Sequence, residues 1–403
     1  MSTPTRLPGL LVAGSLLAAT ACDVLTGPPD AADMFSAPVP GLTSKEAETF
    51  AAGRSAFRRN FSADEGLGPI FNAGSCGDCH GGEGRGQPHN VLTRISIGTD
   101  PAIRMGGPQI QDKAIPGAYP EEVPFGVDVS RRLPPPVFGV GFIEAIPVDA
   151  ILANADPSDR DGDGISGRPN WVTPPEFVPL DEPGGGAGLQ LGRFSWKGQV
   201  SSLLQQVAGA YHQDMGITTD FLPVENVNPQ GHHGAPAVDP VLDPELPAAT
   251  VRSVIDFQRM LAAPAPGADT PARQRGDELF TQIGCADCHV REFQTGPSTI
   301  AALADQRVVL YSDLLLHDMG DGLADNRPDG SATGREWKTP PLWELRIARD
   351  FLHGDLFLLH DGRATTVAEA IELHGGEAAA SRDRFLGLNG TDRDALLDFV
   401  RSR

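Results

Sequence analysis

The sequence predicts a mainly α-helical protein of two similar domains, the first of which carries a long loop-rich insertion. Three observations predict this class. The string Cys-x-x-Cys-His occurs twice, at residues 76–80 and 285–289. Apolar residues recur at helical spacing before each string. Gly and Pro number 47 and 36 of 403 residues, above average usage and without a repeat, so much of the remaining chain is expected in loops.

Each Cys-x-x-Cys-His string is typical of a site where haem c is attached covalently. The thiols that would add to the haem vinyl groups are those of Cys76, Cys79, Cys285 and Cys288. His80 and His289 would then be the proximal iron ligands. The alternatives are a zinc site built from two Cys-x-x-Cys pairs, or a dithiol redox pair, and both leave the following histidine unexplained twice. We therefore expect two covalently bound haems and a redox protein.

Residues 1–22 predict export. Arg6 precedes an apolar stretch at 7–18 that is shorter than a membrane-spanning helix requires. Small residues follow it and end at Cys22. This ending resembles a bacterial lipobox, in which the cysteine is lipidated; the alternative is an ordinary cleaved signal peptide. In both cases we expect an exported, periplasmic protein, which agrees with haem attachment outside the cytoplasm. In the lipoprotein case it would touch the membrane only through the lipid anchor.

The chain is acidic, with a net charge of −21. An acidic surface repels nucleic-acid phosphates, so we expect no nucleic-acid partner. The same surface would attract a basic redox partner such as a small cytochrome c; the alternative is that the charge only keeps the protein soluble.

Helix and linker signals predict the domain borders. Thr43 and Glu46 form a capping-box pattern that opens a helix before the first string. Residues 250–262 and 391–403 each have the apolar spacing of a closing helix, and the Pro-rich stretch 263–267 reads as a linker. The predicted segments are a linker at 23–42, a first haem domain of cytochrome c type at 43–266 with an insertion at about 81–249, and a second such haem domain at 267–403.

Several ordered segments carry a family resemblance. They are LGPIFN at 67–72, GPQIQD at 107–112, DGDGISGRPN at 161–170, DMGIT at 214–218, YSDLLLHDMG at 311–320, KTPPLW at 338–343 and HDGR at 360–363. Together they resemble the bacterial di-haem oxidoreductases, described as thiol oxidoreductases or peroxidases and related to the di-haem cytochrome c peroxidases. The resemblance covers about residues 40–403.

The resemblance implies a peroxidase-like oxidoreductase. A small donor would reduce the C-terminal haem, and electrons would pass to the N-terminal haem, where peroxide or another small oxidant binds. Two alternatives stay open: an electron-transfer cytochrome without a substrate of its own, and a di-haem oxidase that modifies a partner protein.

The sixth ligand of each iron decides between electron transfer and oxidant binding. A capping-box pattern at 366–369 predicts a helix whose apolar face ends at His374. We therefore predict His374 as the sixth ligand of the second haem, where the peroxidase relatives carry a methionine or tyrosine. The alternative is a hydrogen-bonded core histidine, and His317 and Met319 are rivals for the same position.

The first haem has no clear sixth ligand in the sequence. The candidates for its distal side are His89, Met215, Gln205, Gln206 and Glu144. The resemblance implies a glutamine and a glutamate that help cleave the O–O bond, and a carboxylate can move a proton between the two oxygens. Glu144 is the predicted catalytic acid; the alternative is a surface or structural acid.

Other side chains are candidates for supporting roles. His360 is interpreted as a hydrogen bond to the haem edge or a propionate, or as a plain turn residue. The remaining candidates are Trp196, Trp337 and Trp343 as electron stepping stones or core residues, and Arg335, Lys338 and Arg363 as propionate partners or surface charges.

A short acidic loop predicts a calcium site. Asp159, Asp161 and Asp163 occupy positions 1, 3 and 5 of an EF-hand-like pattern, and Gly164 occupies position 6. Position 12 is Asn170 instead of the bidentate glutamate. We predict that Ca²⁺ binds to this half-loop; the alternative is an acidic surface turn.

Overall fold

The computed structural model describes residues 35–82, 84–86, 88–230, 239–351 and 356–403. The predicted export segment at 1–22 and most of the linker at 23–42 lie outside the described residues. Across the described ranges the chain is helix-rich with little sheet, as predicted. None of the helices in these ranges has the length and apolar character needed to span a membrane.

The helices and strands are short and separated by long loops. The α-helices in the described ranges are α1 (Ser44–Arg58), α2 (Cys76–Cys79), α3 (Val140–Ala145), α4 (Val148–Leu152), α5 (Leu203–Asp214), α6 (Ala248–Met260), α7 (Pro271–Gln282), α8 (Leu345–Phe351), α9 (Val367–Glu372), α10 (Ala379–Leu386) and α11 (Gly390–Arg401). The strands are β1 (Ile70–Phe71), β2 (His80–Gly81), β3 (Arg85–Gly86), β4 (Leu92–Ser96), β5 (Lys113–Ala114), β6 (Asp128–Arg132), β7 (Asn170–Val172), β8 (Gln190–Gly192), β9 (Glu292–Gln294), β10 (Arg307–Val309), β11 (Leu316–Asp318) and β12 (Glu336–Lys338). They pair antiparallel as β1–β5, β2–β3, β4–β6, β7–β8, β9–β10 and β11–β12.

The helices that precede the two strings begin at clear sequence signals. At α1 the Thr43 hydroxyl accepts from the Glu46 N–H while the Glu46 carboxylate accepts from the Thr43 N–H, which completes the predicted capping box. At α7 the Thr270 side chain accepts from the Arg273 N–H, and Pro271 occupies the first helical position, where no N–H is needed.

Each of these helices crosses a later helix at a glycine. A Cβ on Gly53 of α1 would lie 2.1 Å from the carbonyl oxygen of Ser253 in α6. A Cβ on Gly276 of α7 would lie 2.2 Å from the carbonyl oxygen of Ala395 in α11. Any side chain at these two points would overlap the partner backbone, so glycine permits the close approach. The predicted opening and closing helices therefore do pack in pairs.

Two large apolar clusters form the core. The first combines residues of α1, α3, α5 and α6, and the second combines residues of α7, α9 and α11. The first cluster also includes Leu310, Leu315 and Trp343, which come after the predicted border near residue 266. The two predicted units thus share packing, and the border itself stays a prediction.

The predicted insertion at about 81–249 is loop-rich but contains one helix for which the sequence gives a signal, since apolar residues recur every three or four positions near 198–213. That helix, α5, begins a few residues later than expected, after Ser202, whose side chain accepts from the Leu204 N–H. Gly198 has φ of +59° and Ser195 has φ of +66°, so the preceding segment is a turn instead of a first helical turn.

Candidate haem sites

Each Cys-x-x-Cys-His string lines a cavity, named here the His80 cavity and the His289 cavity. The empty space is about 1980 Å³ in the His80 cavity and about 2010 Å³ in the His289 cavity, solvent at the mouths included. None of the four string cysteines is in a disulfide. Both thiols of each string line the same cavity as the following histidine.

The ring of His289 is held by the backbone. Gly284, with φ of +86°, ends α7 and starts the second string. The His289 Nδ1–H donates to the Tyr311 carbonyl at 2.9 Å, which leaves Nε2 as the metal-binding nitrogen. Burial lowers the pKa of His289 to about 4, so the imidazole is neutral, as an iron ligand must be. The Phe280 ring packs against it with centroids 6.2 Å apart.

His374 lines the same cavity as His289. It lies two residues beyond the end of α9, so it is not on the helix itself, but the prediction of an inward orientation holds. Its Nδ1–H donates to the Ala370 carbonyl at 2.6 Å, and burial lowers its pKa. His289 and His374 therefore share one cavity, each with Nδ1 engaged by a backbone carbonyl. Ligation of iron by His374 stays a prediction.

His317 and Met319, the alternatives to His374 as sixth ligand, lie in different surroundings. His317 of β11 has Nε2 2.7 Å from Asp313 Oδ2 and Nδ1 2.9 Å from Glu377 Oε2. Burial opposes the charged form, but these bonds raise the pKa of His317 well above its usual value. An imidazolium that donates from both nitrogens has no lone pair for iron, so the geometry favours a structural role. Met319 lines the His289 cavity.

His80 is oriented by packing. The Ser75 hydroxyl accepts from the Asp78 N–H at 3.1 Å and starts the α2 turn that carries the first string. Phe57 of α1 packs against the His80 ring with centroids 6.2 Å apart. Burial lowers the pKa of His80 to about 4. Its Nδ1 is buried and has no hydrogen-bond partner in the described part of the chain.

The structure separates the five candidates for the distal side of the His80 cavity. Gln205, Gln206 and Met215 line this cavity, whereas His89 and Glu144 are not among the described lining residues. The Glu144 carboxylate instead makes a bidentate salt bridge with Arg259, at 2.6 and 3.0 Å. This geometry favours the structural alternative for Glu144 over the predicted catalytic role.

Sequence reasoning missed two residues of α5 that line the His80 cavity. Burial raises the pKa of Asp214 to about 6, although its carboxylate accepts a hydrogen bond from the Gln109 amide. The buried Tyr211 hydroxyl has no partner among the described residues. His212 also lines the cavity, with Nε2 3.0 Å from the Val224 carbonyl oxygen. The spacing of Tyr211 and Asp214, three apart on one helix face, was the available signal.

One wall separates the two cavities. Six described residues line both of them: Pro135, Pro136, Val140, Phe194, Ser195 and Trp196. The Trp196 indole N–H donates to the Leu133 carbonyl at 2.6 Å, which fixes the ring in this wall. Trp337 stacks on His360 with centroids 3.7 Å apart, and both line the His289 cavity, as does Trp343.

The three predicted propionate partners lie in different surroundings. Arg335 is exposed and pairs with Asp318 and Asp321, so it is a surface charge. Arg363 pairs with Asp361. Lys338 is buried and lines the His289 cavity.

The three aspartates of the predicted calcium loop do come together. One carboxylate oxygen from each of Asp159, Asp161 and Asp163 lies within 4.8 Å of the others, and all three side chains are exposed. Asn170, at position 12, is buried; its amide donates to the Lys197 and Asp329 carbonyls and so does not complete the loop. Calcium binding stays a prediction for a three-carboxylate half-site.

A protein-family model described as "Di-haem oxidoreductase, putative peroxidase" matches residues 120–403. The chain belongs to the di-haem oxidoreductase family. This confirms the family resemblance drawn from the sequence motifs. The matched region contains the second string, His374 and the wall between the cavities.

Solved structures give weaker similarity to this di-haem oxidoreductase. The hydrazine synthase of Kuenenia stuttgartiensis, pressurised with 20 bar xenon, is 14% identical over 100% of both chains, with a TM-score of 0.37. A MauG-like protein associated with microbial copper homeostasis is 16% identical over 72% of this chain and 94% of its own, with a TM-score of 0.29. Scores this low support no argument about the site. Among curated proteins, none matches the chain.

The donor set of this di-haem oxidoreductase fits covalent haem better than zinc. In the described residues, neither string brings three ligand atoms within 4.8 Å of one another, as a zinc site requires. Burial raises the pKa of Cys76 and of Cys285 to about 12, so these thiols lack the lowered pKa of a reactive dithiol pair. Large cavities with a neutral histidine on one wall suit haem.

Proposed function

We propose that this protein is an exported di-haem c-type cytochrome with peroxidase-like activity. A small donor, such as a cytochrome c, would reduce the haem at His289, and electrons would pass to the haem at His80, where peroxide or another small oxidant is reduced. One observation carries the proposal: His289 and His374 share a cavity and each has Nδ1 bound to a backbone carbonyl, whereas in the His80 cavity the second histidine, His212, has Nε2 at the Val224 carbonyl and amides and a titratable carboxyl complete the lining.

The two cavities suit different tasks. Bound haem supplies one-electron chemistry, and reduction of peroxide to two waters takes up two electrons and two protons. His289 and His374 would hold one iron from both sides, which favours electron transfer over oxidant binding. Asp214, with a pKa of about 6, can accept and release a proton in the His80 cavity near neutral pH. Gln206 lines the same cavity and offers an amide donor there.

Trp196 is the candidate for the electron path between the sites. It belongs to both cavity walls, and its one polar atom is already hydrogen-bonded to the Leu133 carbonyl. An aromatic ring in this position shortens the longest tunnelling step between two cofactors.

The proposal includes location and partner. Residues 1–22 support export to the periplasm, with Cys22 as the lipid anchor. The net charge of −21 supports a basic donor protein, whose encounter would slow at high ionic strength.

Electron paramagnetic resonance of the exported holoprotein, oxidised and half-reduced, tests the proposal when combined with rapid mixing with hydrogen peroxide. We expect one low-spin iron with two histidine ligands and one iron that becomes accessible on half-reduction and reacts with peroxide. Two six-coordinate low-spin irons in every redox state, without a peroxide reaction, would instead establish an electron-transfer cytochrome. Peroxide oxidation that leaves small donors untouched but alters a partner protein would establish the protein-modifying alternative.

A further inference from the structure

A buried ionic cluster lies beside the His80 cavity and joins distant parts of the chain. Its charged members are Arg94, Arg132, Lys197, Asp325, Arg327 and Asp329. The side chains of Lys197, Arg132 and Arg327 are 0%, 3% and 3% exposed. Arg94 is 19% exposed and the rest of the cluster is shielded from solvent, so most of its charge must be balanced from within the protein or by a bound group.

The contacts within the cluster centre on two carboxylates. Asp325 accepts from Lys197 Nζ at 2.9 Å and from Arg132 at 2.9 Å. Asp329 pairs with Arg132 at 2.5 Å and with Arg327 at 2.5 Å. Arg94 reaches Asp329 only at 3.9 Å.

Four cations thus face two carboxylates. The other titratable groups beside the cluster do not close this difference. Asp214 faces Arg94, but burial raises the pKa of this carboxyl to about 6, so it supplies at most one charge. His360 faces Arg132 and Asp325, and burial lowers its pKa to about 4, which leaves it neutral. A buried surplus of positive charge is costly unless an anion accompanies it.

Part of this surplus positive charge lies at the wall of the His80 cavity. Arg94 and Arg132 both line that cavity. Arg94 Nε is buried and has no hydrogen-bond partner in the described ranges. The three guanidinium nitrogens of Arg132 donate to Asp325, Asp329 and, at 2.8 Å, the Ser130 hydroxyl. The Arg94 guanidinium therefore offers the edge that can bind a carboxylate in bidentate fashion, and Arg132 adds a fixed positive charge to the lining of the same cavity.

We propose that Arg94 and Arg132 form a carboxylate-binding subsite for the propionate groups of the tetrapyrrole attached at Cys76 and Cys79. The inference rests on the proposed function, because it needs haem at His80. Fixed positive charge near the iron stabilises the reduced state and raises the midpoint potential of that site. The cluster thereby favours electron flow toward the His80 cavity.

The test compares Arg94→Gln with Arg131→Gln by redox titration of both haems in the holoprotein. Arg131 is the matched control, because it is the exposed neighbour of Arg132 on β6. We expect R94Q to shift the oxidation equilibrium of the His80 haem about tenfold toward the oxidised state, a fall of about 59 mV for one electron. The potential should also become more pH-dependent near neutrality. R131Q and the His289 haem should be unchanged.

The outcomes separate this inference from the proposed function. A wild-type protein without haem at His80 would refute the proposed function itself. Haem present in R94Q with an unshifted potential and pH dependence would overturn the propionate subsite. If R94Q fails to attach haem, Arg94→Lys decides: restored attachment with a near wild-type potential supports the subsite, and failure to restore it overturns the subsite.

Discussion

The two candidate haem sites share one frame, a pair of helices that cross at a glycine, but they hold their histidines differently. In each, a helix crosses a partner at a glycine, and a phenylalanine packs 6.2 Å from the histidine ring. His289 donates Nδ1–H to the Tyr311 carbonyl, whereas His80 Nδ1 has no partner among the described residues. A hydrogen-bonded histidine is a stronger and better oriented iron ligand. The His289 site is therefore the better prepared for a fixed, six-coordinate iron.

The other lining residues of the two cavities differ even more. His374 and the stacked pair of Trp337 and His360 line the His289 cavity. The wall of the His80 cavity comes largely from the insertion at about 81–249, which supplies both Asp214 and the arginines of the carboxylate subsite. Under the proposed function, the shared frame would fix where haem attaches, and the insertion would determine which site handles an oxidant.

Exchanging the sixth-ligand candidate should give the largest effect. His374→Met is expected to raise the midpoint potential of the His289 haem by a sizeable part of the about 0.8 V range that axial ligands span, because a thioether stabilises the reduced iron. His374→Ala should leave that iron high-spin. Redox titration and electron paramagnetic resonance measure both changes, with the His80 haem as an internal reference. A low-spin signal that persists in H374A would show that another residue is the sixth ligand.

Removing the carboxyl group of Asp214 should affect only the His80 site. Asp214→Asn is expected to slow the reaction with peroxide by about 100-fold or more, because positioned acid–base groups contribute on that scale. The base form must take the first proton, so the wild-type rate should rise as pH increases through about 6. Stopped-flow rates across this range should show that limb in the wild type and lose it in D214N.

Glu144→Gln provides the contrast to D214N. Glu144 is tied to Arg259, which also pairs with Glu182 at 2.7 Å, so breaking the Glu144 pair should lower the free energy of unfolding by about 2 kcal/mol, while the peroxide rate per haem is kept. Chemical denaturation and the same stopped-flow assay distinguish the two effects. If E144Q loses the rate and D214N keeps it, the catalytic assignment returns to Glu144.

The sequence predicted the structural features that depend on residues close together in the chain. The two strings and the capping box at Thr43 follow from neighbouring residues, and the structure forms the capping box as expected. Contacts between residues far apart in the sequence could not be predicted in this way. Glu144 looked like an isolated acid because Arg259 follows far along the chain. Helical periodicity showed that α5 has an apolar face, but not that Asp214 at its end would border a cavity.

Substitution of the glycine at each helix crossing should destabilise one frame without touching the other. Gly53→Ala and Gly276→Ala should each cost about 1–3 kcal/mol, because the added methyl overlaps a backbone carbonyl. Gly390→Ala is the control, since a Cβ there, at the start of α11, has open space around it. Hydrogen exchange should show the loss in α1 and α6 for G53A and in α7 and α11 for G276A. Equal loss in both pairs would mean that the two frames unfold as one unit.

Calcium should produce the smallest effect, and only on the His289 side. The loop that carries Asp159, Asp161 and Asp163 continues into Ser166, whose N–H and hydroxyl donate to Glu377, the partner of His317. With only three exposed carboxylates, we expect weak binding, worth about 0.4 kcal/mol of stability when free calcium equals the dissociation constant. Thermal unfolding with calcium against magnesium measures this, and Asp161→Asn should abolish it. A calcium response that survives D161N would place the cation elsewhere in the protein.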